Sequence, residues 1–120
     1  SALYKFNPTT PNVAPTLVTE KAGGFAIGSQ YLYTADIDWS STSYETIMQK
    51  VQLSNDAVSI FTRDSGYQFG FSVTVNPFNG DVCFGQSMGD ALYVYDSAGG
   101  DYKDMVNTGT ANVNAVVFVK

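Results

Sequence analysis

The residues best suited to bind a ligand lie in a polar segment at residues 36–44. Trp39, the only tryptophan, and Tyr44 offer aromatic faces on which a sugar ring or a peptide side chain could stack. Asp36 and Asp38 add carboxylate oxygens that accept hydrogen bonds from hydroxyl groups. We therefore predict a binding site here. The alternative is that Trp39 packs between neighbouring sheets and touches no ligand.

Two further segments hold weaker candidates. Tyr67 and Gln68 would add a second contact, with core packing as the alternative, and Gln86 begins another loop at residues 86–90. Asp36 and Asp38 carry oxygens that suit Ca²⁺, but the segment lacks the glycine and the distal glutamate of an EF-hand loop. We therefore predict neither a bound metal nor a cofactor.

Catalytic chemistry has little support in this sequence. The chain has no histidine, which excludes Ser-His, Cys-His and His-metal centres built from its own residues. Its only glutamates, Glu20 and Glu45, lie outside the apolar runs that would raise a carboxyl pKa. Cys83 lies between Val82 and Phe84, which predicts a buried apolar residue. The sequence thus predicts a non-enzymatic protein, the alternatives being part of a carbohydrate-active enzyme with catalytic residues elsewhere or a purely structural segment.

Charge excludes one class of partner. Six lysines and arginines are scattered among 11 acidic residues, for a net charge of −5. Nucleic-acid binding requires clustered cations, so we predict no nucleic-acid partner. Charged residues make up only 14% of the chain, and Tyr, Ser, Thr, Asn and Gly carry most of its polarity. This composition favours an extracellular or bacterial cell-surface location.

The elements that position these residues read as short β-strands. Apolar and aromatic residues occur in brief runs separated by turns rich in Gly, Asn, Asp and Pro, without a 3.6-residue stripe. Residues 46–53 would fit a helical turn, but their neighbours favour a strand. We therefore predict an all-β fold.

A repeat of about 44 residues organises these strands. The strand near residue 3 aligns with that near residue 48, and the latter with that near residue 92, at steps of 45 and 44 residues. A period of this length with four strands is typical of a β-propeller blade. We predict blades of four antiparallel strands in an incomplete ring, with a β-sandwich as the alternative.

The repeat divides the single domain, residues 1–120, into about two and a half blades. We assign residues 1–20 to the outer strands of one blade, 21–64 to a second blade, 65–110 to a third and 111–120 to a closing inner strand. Propellers typically close with about four to eight blades. The remaining blades are therefore expected from another fragment, another chain or self-association. Alternating strand direction places the longer loops on one face, opposite the tight turns.

One stretch resembles a known family. It comprises Asn76-Pro77-Phe78-Asn79-Gly80-Asp81, then Leu92-Tyr93-Val94-Tyr95-Asp96, then Thr108-Gly109 and the valine-rich end of the chain. It resembles the C-terminal blades of YncE-like, surface-layer-repeat β-propellers, especially the secreted or lipid-anchored versions of Bacteroidetes. The chain departs from the pattern at Thr110-Ala111-Asn112, where many members have Gly-X-X-Pro. The resemblance implies a binding or scaffold module on a bacterial surface, associated with an outer-membrane uptake complex or with adhesion.

Overall fold

The computed structural model describes residues 1–40, 44–64, 72–86, 89–98, 102–109, 113 and 116–120. Within these ranges the chain forms strands and turns and no helix, so the predicted all-β class is confirmed. No helix in the described ranges is long and apolar enough to cross a membrane. The strands are β1 (Leu3–Lys5), β2 (Thr16–Thr19), β3 (Gly24–Ile27), β4 (Tyr31–Ile37), β5 (Thr46–Gln52), β6 (Val58–Asp64), β7 (Ser72–Val75), β8 (Val82–Gly85), β9 (Ala91–Tyr95) and β10 (Tyr102–Asn107).

These strands form three antiparallel sheets in sequence order. β1 and β2 form a small sheet, β3 to β6 the first four-stranded sheet, and β7 to β10 the second. Each four-stranded sheet is a meander in which every strand pairs with the next one along the chain. The helical alternative for residues 46–53 is wrong, because β5 pairs with β4 on one side and β6 on the other. The result is a pair of blade-like sheets.

Strand β4 is covered on both of its faces, which explains its apolar sequence. Tyr33 and Ala35 belong to the core shared with the second four-stranded sheet. Thr34 points to the opposite face, together with its cross-strand partner Gln49. Gln49 accepts a hydrogen bond of 2.6 Å from the hydroxyl of Thr19 in the small sheet. The first four-stranded sheet therefore lies between the other two sheets.

Aromatic rings fill the space between the two four-stranded sheets. The ring of Phe61 packs edge-to-face on Tyr33, with 5.2 Å between centroids, and on Tyr95 of the second sheet, at 6.4 Å. Tyr95 in turn packs on Phe84 at 5.6 Å. Such pairs contribute roughly 0.5–1.5 kcal/mol each beyond the area that they bury. This aromatic cluster connects the two four-stranded sheets.

The two four-stranded sheets approach each other most closely along their first strands, β3 and β7. Near these strands the core residues are small, as with Ala26 and Val73, whereas Phe61 and Tyr95 lie on later strands. The sheets are therefore packed as a wedge that widens away from β3 and β7. This geometry holds the strand ends of neighbouring sheets side by side.

The end of the chain differs from the expected inner strand over residues 111–120. Val113 is buried and its N–H donates to the carbonyl oxygen of Gln86 at 2.9 Å, but 113 and 116–120 belong to no strand. Val117 and Val119 are exposed. A strand requires a partner for its backbone groups. In the described part of the chain these residues have no such ladder, so their role in closing a ring stays a prediction.

Candidate functional site

The ends of the four-stranded sheets form two distinct edges. At the edge that we call the loop edge, the segment before β3, the loop after β4 and the end of β6 come together, bringing Lys21, Asp38 and Arg63 into contact. At the opposite, turn edge, the β3–β4 turn and the β7–β8 turn line one cleft with Ser97. The longer loops and the tight turns thus lie at opposite edges, as alternating strand direction requires.

Local hydrogen bonds hold the loop that follows β4. The N–H of Asp38 donates to the carbonyl oxygen of Glu45 at 2.8 Å, which closes the base of the loop. Asp38 Oδ1 accepts the N–H of Ser40 at 3.2 Å and its hydroxyl at 2.5 Å, an Asx turn. Tyr44 has a positive φ of 51°, which turns the chain back toward β5. These bonds fix both ends of the segment that carries Trp39.

Trp39 and Tyr44 form an exposed aromatic pair at the loop edge. Their ring centroids lie 5.9 Å apart with an interplanar angle of 67°, an edge-to-face contact. Trp39 is 59% exposed and Tyr44 is 48% exposed, although both are large apolar side chains. The alternative, in which Trp39 packs between neighbouring sheets, stays a prediction, because further blades are expected beyond this chain. The pair leaves aromatic surface open to a ligand.

A charged network lies beside this aromatic pair. Arg63 Nη1 donates to Asp38 Oδ2 at 3.2 Å and to Glu45 Oε2 at 3.1 Å, and Lys21 Nζ lies 3.8 Å from Asp38 Oδ1. Hydrogen bonds from Ser40 and from Arg63 lower the pKa of Asp38 to about 2. The same carboxylates raise the pKa of Arg63. Asp38 is therefore ionised at neutral pH, and its carboxylate orients the arginine rather than supplying a proton.

The other predicted site residues lie apart from this pair. Asp36 is buried, with Oδ1 accepting the N–H of Ile37 at 2.8 Å and Oδ2 lying 3.4 Å from the amino group of Ser1. Its carboxylate lies beneath Gly23, 3.4 Å from where a Cβ on that glycine would be. Asp36 is thus part of the packed sheet face, and of the two predicted carboxylates only Asp38 lies in the network beside the pair.

Gln86 follows β8 at the loop edge, in the second four-stranded sheet. Its N–H donates to the carbonyl oxygen of Ala91 at 2.9 Å, and its side chain covers Gly89. Gln86 therefore helps to shape its own loop. Tyr67 and Gln68 lie outside the described residues, so their predicted contact stays a prediction.

Sequence reasoning missed three charged residues of the network. Lys21, Arg63 and Glu45 are far apart in sequence, and none was selected as a candidate. Their positions could have indicated them. Each lies near a strand end, and alternating strand direction places these ends at the loop edge. Charged residues at such strand ends are partners for an acidic loop.

Metal binding and thiol chemistry have no support among the described residues. These residues contain no group of three or more His, Cys, Asp or Glu side chains placed to hold a metal ion. Cys83 is buried, and burial together with the negative charge of Asp81 raises its pKa to about 11. The thiol is therefore protonated at neutral pH and is a poor nucleophile, in agreement with the buried apolar role predicted from the sequence.

Comparisons of the chain with protein-family models, with curated proteins and with solved structures found no match. The resemblance to YncE-like propellers accordingly stays a prediction, and the candidate site is defined by its geometry.

Proposed function

We propose that this chain is a non-enzymatic binding module of a bacterial cell-surface β-propeller protein, and that it binds a glycan at the loop edge. The observation that carries the proposal is the exposed Trp39–Tyr44 pair on a loop whose two ends are fixed. A sugar ring stacks its apolar C–H face on an aromatic ring, and aromatic residues next to hydrogen-bonded loop ends lose less conformational entropy on binding. The cell-surface location rests on the family resemblance and on the polar, charge-poor composition.

The charged network supports binding over catalysis at this edge. Arg63 uses Nη1 for both Asp38 and Glu45, so its remaining N–H groups are available to ligand oxygens. A glycosidase needs one carboxylic acid that is protonated near neutral pH. Asp38, with a pKa of about 2, cannot fill that role. A catalytic residue supplied by another part of a carbohydrate-active enzyme is the alternative function.

The test uses the single tryptophan as a reporter. We would screen the intact chain on a glycan array and then follow Trp39 fluorescence while titrating the glycans that bind. Trp39→Phe should weaken binding less than Trp39→Ala, and Tyr4→Ala, at an exposed aromatic residue of the small sheet, serves as the matched control. Absence of any glycan that changes Trp39 fluorescence at millimolar concentration, or an unchanged affinity for such a glycan after Trp39→Ala, would contradict the proposal and favour a purely structural segment.

We also propose that the two four-stranded sheets are neighbouring blades of a propeller. Meander order, closest approach along the first strands and the wedge-shaped core support this arrangement, whereas β-sandwiches are usually built with Greek-key connections. Phe25 of β3 is 54% exposed, and it lies on the face opposite Ala26, which packs against the core shared with the second sheet. Such a face fits a further blade supplied by another fragment, another chain or a second copy.

Solution mass tests the propeller arrangement. Light scattering, with mass spectrometry of co-purifying proteins, should reveal a particle larger than 12.9 kDa. A folded monomer at that mass would contradict the need for further blades and favour the sandwich. This outcome is independent of glycan binding, which has its own readout at Trp39.

A further inference from the structure

A second concave region lies at the turn edge, opposite Trp39. It is a cleft of about 570 Å³ between the two four-stranded sheets. The first sheet contributes Ile27 and Ser29, and the second contributes Val75, Phe78 and Ser97. This volume is in the range of small-molecule sites, roughly 300–1,000 Å³.

The turns that form the cleft are fixed by their own hydrogen bonds. Asn76 Oδ1 accepts the N–H of Phe78 at 2.9 Å, and the N–H of Gly80 donates to the carbonyl oxygen of Asn76 at 2.8 Å. Gly80 has a φ of +80°, and a Cβ there would lie 3.3 Å from the hydroxyl oxygen of Ser97. The turn thus holds the exposed ring of Phe78 at the cleft before any ligand arrives.

The neighbouring turn is equally well defined and packs against the first. The N–H of Gly28 donates to the carbonyl oxygen of Tyr31 at 2.8 Å. A Cβ on Gly28 would lie 3.6 Å from Val75, so the two sheets touch at the base of the cleft. The cleft is therefore formed by packed backbone and is not a gap between loose loops.

The chemistry of the lining distinguishes this cleft from the loop edge. All of its lining residues are uncharged. Ile27, Val75 and Phe78 provide apolar surface, and the hydroxyls of Ser29 and Ser97 have no hydrogen-bond partner among the described residues. A charged ligand would lose hydration here without gaining an opposite charge. A neutral ligand with hydroxyl groups on an apolar frame would match both kinds of surface.

We infer that the turn-edge cleft is a second binding site, and that its ligand is a neutral monosaccharide unit. The sugar would stack on Phe78 while its hydroxyl groups bond to Ser29 and Ser97. This site involves neither Trp39 nor the charged network, so it is independent of the function proposed for the loop edge.

The experiment is a backbone-amide NMR titration of the intact chain with methyl glucosides and methyl galactosides. The charged methyl glucuronide serves as a matched probe. Shifts should be confined to the amides of residues 27–29, 76, 78–80 and 97. Phe78→Ala should weaken binding about tenfold, Ser97→Ala by roughly 3-fold, and the glucuronide should bind at least about tenfold more weakly.

Trp39→Ala at the loop edge should leave these shifts unchanged. Absence of shifts with every neutral sugar, equal binding of the glucuronide, or shifts that disappear with Trp39→Ala would each overturn the inference. Should Phe78→Ala fail to fold, Ser97→Ala provides the test. It deletes only one hydroxyl of the cleft lining and should still weaken sugar binding. Failure here would leave the loop-edge proposal standing, because the two sites have separate reporters.

Discussion

The two edges of the four-stranded sheets differ in the interactions that position their candidate binding surfaces. At the loop edge a long connection carries an aromatic pair, and ion pairs from Arg63 to Asp38 and Glu45 tie it to strand ends. At the turn edge short connections are closed by backbone bonds and by glycine at positive φ, as at Gly80. Charged side chains border the aromatic pair at the first edge, whereas the cleft at the second has an uncharged lining, although Lys103 and Asp81 pair beside its turn.

This difference follows from loop length. A tight turn satisfies its own backbone groups within four or five residues, so it needs no charged support. A longer loop leaves more backbone freedom, and side chains from other strands must restrict it. The contrast predicts that the loop edge responds to pH and charge substitutions, whereas the turn edge responds to changes in backbone geometry.

The largest expected effect on the free energy of unfolding comes from a substitution in the core that supports both edges. Phe61→Ala deletes the ring that joins Tyr33 to Tyr95 across the sheets, and should lower the free energy of unfolding by about 3–5 kcal/mol. Urea denaturation followed by circular dichroism measures this loss. Val58→Ala on the same strand, where the side chain is exposed, should cost about 1 kcal/mol or less. Equal losses for the two variants would contradict the wedge-shaped core.

Glycine-to-alanine substitutions compare the cost of backbone strain at the two edges. Gly80 at the turn edge and Gly109 at the loop edge both have positive φ, at 80° and 70°, so alanine should cost each about 1–2 kcal/mol in free energy of unfolding. Gly80→Ala should cost more, because its Cβ would also approach Ser97, whereas the space around Gly109 is open. Thermal or urea unfolding of both variants provides the comparison. A smaller loss at Gly80 would show that the turn is not held as tightly as described.

Proton titration probes the loop edge alone. The pKa of Asp38 is lowered from 3.8 to about 2, so the folded state favours its ionised form. Its contribution to stability is then present above pH 3.8 and is lost as the pH falls toward 2. Carboxyl-carbon NMR shifts should titrate near pH 2, and Arg63→Met should move the midpoint toward 3.8.

Lys103→Met provides the control for this titration, because Lys103 pairs with Asp81 at 2.8 Å and not with Asp38. It should leave the midpoint of Asp38 unchanged. A midpoint for Asp38 near 3.8 in the unaltered chain would rule out the network as the support of the loop.

The smallest effect on stability is expected at the residue that matters most for the proposed function. Trp39 is exposed, so Trp39→Ala should change the free energy of unfolding by only about 0.5 kcal/mol. In a Phe78→Ala background, which removes the turn-edge site, the same variant should abolish the remaining glycan binding on the array. A large loss of stability would instead indicate that Trp39 is a packing residue.

The sequence determined the elements, because strands and turns depend on neighbouring residues. Alternating apolar runs predicted each of the ten strands, and Asn76-Pro77-Phe78-Asn79-Gly80 predicted the turn between β7 and β8. The sequence also selected Asp38, Trp39 and Tyr44, which lie on the same loop. Asp36 lies two residues from Asp38, but it is buried beneath Gly23 and does not join the network, because burial by a residue remote in the chain cannot be read from local spacing.

Only the tertiary structure decided which distant residues meet. Arg63 reaches Asp38 because β4, β5 and β6 run side by side, and the cleft exists because the turn after β3 packs beside the turn after β7. Both contacts depend on how the sheets pack, and packing is set by the core between Phe61, Tyr33 and Tyr95. Local patterns specify hydrogen bonds within a few residues, whereas these surfaces arise from contacts between segments that are remote in the chain.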